Sequence, residues 1–289
     1  MEARGSREHR PSDRQRMPAP TMSQALAQRP SPMHPIGWVP EAAGALLDVG
    51  CNVGEFLGHC REVHPGLRLA GVEVNAAALA AARRRVPGAV LCRAGAEALP
   101  FAADAFGCVT CIEVLEHVPA ARRPAALAEM RRVLRPGGRL VLRVPHAGLF
   151  AALDPNNARF RAPRLYRALV GRGRRDDGYA GGTAAVVWHH HFTRAELLRL
   201  AGTGWVPEAA RTGGGLLMPL ADAARWPLLR LRRHQSPLLR ALNALFAWDL
   251  AIDYGRASYD ILLVLRRAEA GPGPGPGPGP GPGPGEDRP

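Results

Sequence analysis

The feature that most constrains this chain is a short apolar run that ends in a carboxylate and a glycine turn. Ala45-Leu-Leu-Asp-Val-Gly50 reads as a buried strand, and Val53 to Val63 follows it with helical spacing at Phe56, Leu57, Cys60 and Val63. The pattern then repeats. Arg68 to Val74 reads as a second strand with Glu73 near its carboxyl end, and Asn75 is placed to cap a helix over 76–86 that Pro87-Gly88 ends. Residues 89–92, 106–114 and 139–144 read as strands three to five, and Pro119 opens a helix running to Leu134. Strands that alternate with helices, and are apolar on both faces, form a parallel sheet covered on both sides. The expected fold class is α/β, a doubly wound, mostly parallel, Rossmann-like sheet. Helical insertions are expected after strand five and before the last strand.

In such a sheet the ligand lies beyond the carboxyl ends of the strands, where the strand order reverses. Asp48, the Gly50–Gly54 turn and Glu73 all fall there. A glycine turn brings backbone close to a ligand, and Asn52 is one of the few residue types that accept positive φ. An acid about 20 residues after the turn is placed to accept both hydroxyls of a ribose.

Composition narrows the setting. Residues 271–285 alternate Gly and Pro, and residues 1–35 are rich in Arg, Pro, Ser and Gln. Neither stretch has apolar surface to bury, so 1–35 and 269–289 are expected to be disordered around a domain at 36–268. No run of about 18 apolar residues is present, and no leader pattern opens the chain. The five cysteines, Cys51, Cys60, Cys92, Cys108 and Cys111, sit among apolar neighbours and read as buried thiols. A cytoplasmic location is expected. The net charge is +13 with no lysine. Residues 41–145 carry 13 Arg against 10 acids, whereas residues 146–270 carry 18 against 10. The second half therefore either faces something anionic or presents a solvated basic surface.

Five blocks then occur in order: Leu47-Asp-Val-Gly-Cys-Asn-Val-Gly54, Gly71-Val-Glu-Val74, Ala94-Gly-Ala-Glu-Ala-Leu-Pro-Phe101, Ile112-Glu-Val-Leu-Glu-His-Val118 and Leu134-Arg-Pro-Gly-Gly-Arg-Leu140. As a set they closely resemble the class I S-adenosylmethionine-dependent methyltransferases, in particular the branch similar to ubiquinone-pathway methyltransferases. Trp188-His-His-His-Phe-Thr-Arg-Ala-Glu-Leu-Leu198 looks like that branch's later segment, and Ser258 to Leu265 like its last strand. The resemblance implies S-adenosyl-L-methionine as cofactor. Asp48, Gly50, Cys51, Asn52 and Gly54 would hold its methionine part, with Glu73 and Val74 at the ribose. Gly95, Ala96 and Glu97 would lie along the adenine, and Cys111, Ile112 and Glu113 would close the pocket beneath it. Two departures stand out: Asn52 replaces the middle glycine, and Gly95 replaces the acid that often receives the adenine amino group. Losing one charge-assisted hydrogen bond costs about 1.5–3 kcal/mol, enough to weaken binding without abolishing it.

Methyl transfer from a sulfonium requires an aligned acceptor and, at oxygen or acidic carbon, removal of a proton. His117, after strand four, and His146, after strand five, are the candidate bases, since an imidazole titrates near working pH. Glu113, Glu116 and His117 also have a spacing similar to the metal site of small-RNA 2′-O-methyltransferases and of some ubiquinone-pathway O-methyltransferases. His190 would complete that set, and Mg²⁺ or Zn²⁺ is the implied ion.

Residues 146–187 look like an active-site cover, and 216–254 like a second insertion. In the latter, Trp226, Leu228, Leu229, Leu231, Leu238, Leu239, Leu242, Leu245, Phe246 and Trp248 accompany arginines. These faces either pack on the sheet or rest on an anionic bilayer as peripheral membrane contacts. The expected substrate is a small-molecule or lipid-like acceptor, anionic in the first reading of the charge, methylated at oxygen. Two rivals stay open: an RNA methyltransferase using the arginines, and a methyltransferase-fold binding protein without catalysis. The basic runs lack interleaved aromatics for base stacking, which weighs against nucleic acid.

Overall fold

The computed structural model describes residues 31–154, 157–164, 189–215, 217, 220, 221, 224 and 236–269. Seven strands form one sheet: β1 (Ala45–Val49), β2 (Arg68–Val72), β3 (Val90–Cys92), β4 (Phe106–Ile112), β5 (Leu134–Pro145), β6 (Trp205–Gly213) and β7 (Asp260–Arg267), in the order β3-β2-β1-β4-β5-β7-β6. β1 to β5 pair in parallel, and β7 runs antiparallel to both β5 and β6. The strand order reverses between β1 and β4, so the crevice lies at the ends of those two strands. The doubly wound α/β architecture expected from the sequence is present.

Each helix follows from its local sequence. α1 (Glu55–Val63) starts after Gly54, whose φ of 77° leaves a Cβ no relaxed position, and Ala82 and Val86 pack within 3.2 Å of where that Cβ would stand. α2 (Ala76–Arg85) is capped as expected, with the Asn75 side chain accepting from the amides of Ala77 and Ala78. Three arginines close its last turn, where they oppose the negative end of the helix dipole. α3 (Arg123–Val133) carries Pro124 in its first turn, where no intrahelical amide is needed. α4 (Ala158–Arg161) is a single turn, α5 (Arg194–Ala201) is capped by Thr193, and α6 (Pro237–Leu250) by Ser236.

Alternation along the strands splits the core into two layers. Leu47, Val49, Val109, Cys111, Leu140, Leu142 and Leu263 face Leu127, Met130 and Leu197. Leu46, Cys108, Val141, Leu262 and Val264 face the other way, against Leu57, Cys60, Leu79 and Leu250. A fully buried leucine of this kind contributes about 2 kcal/mol. The sheet is thus a rigid floor for whatever its carboxyl edge binds.

Three differences from the sequence reading have physical reasons. The structured chain begins before residue 36: Met33 is buried in the second layer beside Ile36 and Val39, and Arg139 donates to the Trp38 carbonyl. A single buried methionine inside a polar run leaves no periodicity to read. β6 escaped notice because Pro207 interrupts it. It is tolerated because the strand lies at the sheet edge and its register shifts between Pro207 and Ala209. β5 pairs back to Leu134 through an irregularity at Phe106/Cys108, rather than starting at Arg139. The Gly-Pro tail, residues 1–30, most of the first insertion, and 225–235 with a few neighbouring positions of the second lie outside the described residues.

Candidate active site

The glycine turn is tied across to β2. The amides of Gly50 and Cys51 both donate to the Val72 carbonyl, at 2.8 and 2.9 Å, which bends the chain over the end of the sheet. Gly71 permits this approach: a Cβ there would stand 2.8 Å from Cys51 Sγ. Gly50 has φ 78°, and a Cβ on it would come within 2.3 Å of a Val114 methyl. Gly50→Ala is therefore expected to lose about 2–4 kcal/mol, combining left-handed strain with a clash, read as a lowered urea midpoint. Asn52, at φ 46°, takes the left-handed conformation expected of it.

Glu73 closes the turn. Its Oε2 accepts from the Asn52 amide at 3.0 Å and its Oε1 from the Asn75 amide at 2.8 Å, so both oxygens are oriented before any ligand arrives. Asp48 is buried beneath, and Thr110 Oγ1 donates to its Oδ1 at 2.8 Å across the β1–β4 pairing. Burial pushes the Asp48 carboxyl up to about 7, opposed by the Thr110 hydrogen bond and reinforced by Glu73. Val74 is exposed, with its carbonyl accepting from Arg93. Ala96 is buried in the turn after β3, and Glu97 pairs with Arg122 at 3.0 Å. Cys51 and Cys111 point into the core, so only their backbone borders the crevice.

Beyond β4 the chain makes a strained bend. Glu113 sits at φ 54°, a conformation that costs about 1–3 kcal/mol in a residue with a side chain. Its carboxylate is held by Arg143 Nε at 3.1 Å, and Arg143 also faces Asp260 at 3.7 Å. The bend delivers the short helical turn Leu115–His117, which buries Glu116 completely and leaves His117 about one-third exposed. Arg123 clamps that turn by donating to the carbonyls of Val118 and Glu116, with its guanidinium 4.9 Å from the centre of the Phe192 ring.

Residues 189–192 run extended beside β5, with Phe192 bridged to His146. Side chains alternate along such a segment. His189 and His191 turn inward while His190 turns outward, to Glu196 at 2.8 Å. His189 lies between two carboxylates: its Nδ1 is 2.6 Å from Asp154 Oδ2 and its Nε2 is 3.6 Å from Glu116 Oε1. Burial alone would lower its pKa, but the bond to Asp154 and the pairing with Glu116 raise it to about 10. Burial also pushes Glu116 up to about 7, with His189 opposing and Glu113 adding to the shift. Asn157 fastens the arrangement, accepting from the His189 amide at 2.9 Å and donating to the His189 carbonyl at 2.8 Å.

The four-residue metal set expected from the sequence is corrected here. Glu113 is turned to Arg143 and His190 to Glu196, so neither joins Glu116 and His117. Glu116, His117 and His189 come together instead, and Asp154, His189 and His191 form an adjoining trio. His146 is held by β7 and its approach, its amide donating to the Tyr259 carbonyl and its Nδ1 lying 3.0 Å from the Ser258 carbonyl. Sequence reasoning missed Asp154, Asn157, Arg123 and Arg143. The only available signal was the period of two in the histidine run.

A glycine turn, a carboxylate on β2 and a polar cluster past β4 define the site of a class I methyltransferase fold. The comparisons agree. Residues 47–142 match the family described as "Methyltransferase domain". The chain is 35% identical over 152 residues to a demethylmenaquinone methyltransferase of Mycolicibacterium paratuberculosis, covering 51% of this chain and 62% of that protein. It is 36% identical over 115 residues to a phthiotriol/phenolphthiotriol dimycocerosates methyltransferase of Mycobacterium tuberculosis, covering 39% and 38%. The chain thus spans less than two thirds of each relative's length. An S-adenosylmethionine-dependent methyltransferase structure from Methanosarcina mazei superposes with a TM-score of 0.50 at 20% identity, covering 81% of this chain and 96% of that one, and shares the fold. Residues 47–142 thus form a methyltransferase domain, and this part of the chain resembles the S-adenosylmethionine-dependent enzymes of the ubiquinone-pathway branch.

Proposed function

We propose that the chain transfers the methyl group of S-adenosylmethionine to an oxygen of a small, lipid-like acceptor in the cytoplasm. The observation that carries this reading is the convergence, at one sheet edge, of a turn and Glu73 suited to the cofactor with the Glu116–His117 cluster beside it. Asp48 and the amides of the Gly50–Gly54 turn would hold the methionine part, Glu73 the ribose, and Val74 with the Gly95–Glu97 turn the adenine. His117 is the general base: of the three described residues that come together with Glu116 at the centre, it is the partly exposed one. A divalent cation fits beside it, because Glu116 is buried with neither oxygen accepting a hydrogen bond from the described residues. Such an ion would supply a lower pKa to a bound hydroxyl.

Leu149 and Leu153, exposed on the helical turn that runs directly into Asp154, offer an apolar rim for a hydrophobic acceptor. Relatives named for menaquinone and phthiotriol substrates support an acceptor of that kind. Among the described residues no helix is long and apolar enough to cross a membrane.

The test is incubation with methyl-labelled cofactor and hydroxylated lipid-like acceptors, locating the label by NMR. The expected product is an O-methyl ether, and His117→Ala should slow its formation about 10²–10⁴-fold with cofactor affinity unchanged. A C-methyl product would overturn the oxygen assignment, and label appearing only in RNA would favour the nucleic-acid reading.

A further inference from the structure

The sheet accounts for only one face of α6. Leu239 and Leu250 are buried, and Leu250 and Phe246 pack in the second core layer. Asp249, the helix's one acid, fixes its rotation. It is wholly buried, accepting from the Gly215 amide at 2.8 Å and the Tyr254 hydroxyl at 2.7 Å. That pinning turns a second apolar stripe outward, made of Leu238, Ala241, Leu245 and Trp248. Leu238 and Trp248 are each 58% exposed, and Leu245 38%. Ala244 and Ala247 are exposed beside the stripe, and the polar side chains on the helix surface are Arg240 and Asn243. An exposed apolar residue standing alone means little, whereas a stripe is a contact surface.

The surroundings of the stripe define what covers it. From Arg225 to Arg240 the sequence holds five arginines and no acid, and this run leads into α6 at its Ser236 cap. The exposed acid beyond the helix, Asp253, is bonded to the Thr212 hydroxyl and the Gly255 amide. Leucine and tryptophan on one face, with arginines and no exposed acid on the helix, match the headgroup boundary of an anionic bilayer. There tryptophan settles at the interface and each arginine is drawn to negative lipid. A second copy of the chain, meeting the stripe symmetrically, would instead bring two arginine runs together. The helix is also joined to the apolar rim of the active site. Tyr254, just past α6, stands edge to face with Phe150 at 6.2 Å. Gly148 packs so closely on the next segment that a Cβ there would lie 2.1 Å from the Ser258 carbonyl oxygen. The turn carrying exposed Leu149 and Leu153 is thereby fastened to the end of α6.

Resting on the proposed lipid-like acceptor for its purpose, we propose that α6 docks the chain on an anionic membrane surface. Leu238, Leu245 and Trp248 enter the headgroup region, and Arg240 with the arginines before it engages lipid phosphates. At 14 residues the helix lies on the bilayer and does not cross it. Docking brings the Leu149–Leu153 rim to the membrane, so a lipid-like acceptor reaches the site without passing through water.

The test is flotation of the full chain with phosphatidylcholine vesicles prepared with and without phosphatidylglycerol. Binding is expected to the anionic vesicles, weakened by salt, and to be much weaker on phosphatidylcholine alone. Leu245→Asn combined with Trp248→Asn should weaken it at least about tenfold, and Arg240→Ala about fivefold. Val90→Asn, at an exposed site on the edge strand β3, should leave it unchanged. S-adenosylhomocysteine binding, measured on every variant, shows that each is folded. A chain that binds S-adenosylhomocysteine but neither kind of vesicle overturns the docking proposal and leaves the methyltransferase reading standing. Undiminished binding in the double variant overturns α6 as the docking face, and equal binding to both kinds of vesicle overturns the role of the arginines. Self-association that the double variant abolishes, without vesicle binding, overturns the membrane in favour of a second copy. Docking by a chain that methylates no lipid-like acceptor upholds the surface and sinks the acceptor reading instead.

Discussion

Glu73→Ala is expected to weaken S-adenosylhomocysteine binding about 100-fold. The carboxylate stands at the end of β2 with both oxygens already oriented by the amides of Asn52 and Asn75. Each oxygen can accept a ribose hydroxyl as well, and a hydrogen bond to a charged group is worth about 1.5–3 kcal/mol. Losing two, at the lower end of that range, removes about 3 kcal/mol. The substitution also frees the Asn52 amide that holds the left-handed turn, so the turn itself loosens. Glu73→Gln separates these effects: its amide oxygen can serve one amide or one hydroxyl, and a loss of about tenfold is expected. Calorimetric titration of both variants, with denaturation midpoints to confirm folding, reads the result. Equal affinity in Glu73→Ala would place the ribose elsewhere.

The second large effect is on stability and pH. Asp48, raised from 3.8 to about 7, has a folded pKa above its unfolded one. The folded state therefore binds the extra proton between about pH 4 and 7, and stability falls as pH rises through that window. Glu116, raised from 4.5 to about 7, acts with the same sign over about pH 4.5 to 7. His189 is raised from 6.5 to about 10, so its contribution is complete below pH 6.5 and lost as pH rises through 10. All three point the same way: the ligand-free protein should be more stable near pH 5 than near pH 9. Asp48→Asn keeps the acceptor for Thr110 but removes a buried charge, at the cost of a buried amide N–H to satisfy. It should gain about 2 kcal/mol at pH 8 and flatten the pH profile, while binding the cofactor at least tenfold more weakly. A profile that rises toward alkaline pH would show that these groups are partnered differently.

How far the residues could be read ahead of the structure depended on whether the information was local. The glycine turn, the Asn75 cap and the parallel order from β1 to β5 were legible, because periodicity and backbone chemistry act over a few residues. β6 was not, because Pro207 masks an edge strand that only pairing with β7 reveals. The acceptor side depended on contacts between distant segments. Glu113 was read as a ligand from its spacing to Glu116, yet its left-handed bend hands its carboxylate to Arg143, thirty residues on. His190 was read from its place in the histidine run. Whether its neighbours faced inward depended on the bridge between Phe192 and His146, which fixes the pleat. Asp154 carries no motif at all, and its importance comes from the fold setting it 2.6 Å from His189.

The most direct test of the account is calorimetric titration of S-adenosylhomocysteine into the purified chain. The account predicts one site per chain with micromolar affinity, weakened by Glu73→Ala. No heat of binding from a chain shown to be folded would contradict it. The Asn52 and Gly95 departures would then have closed the crevice to the cofactor, leaving a methyltransferase fold used for binding something else.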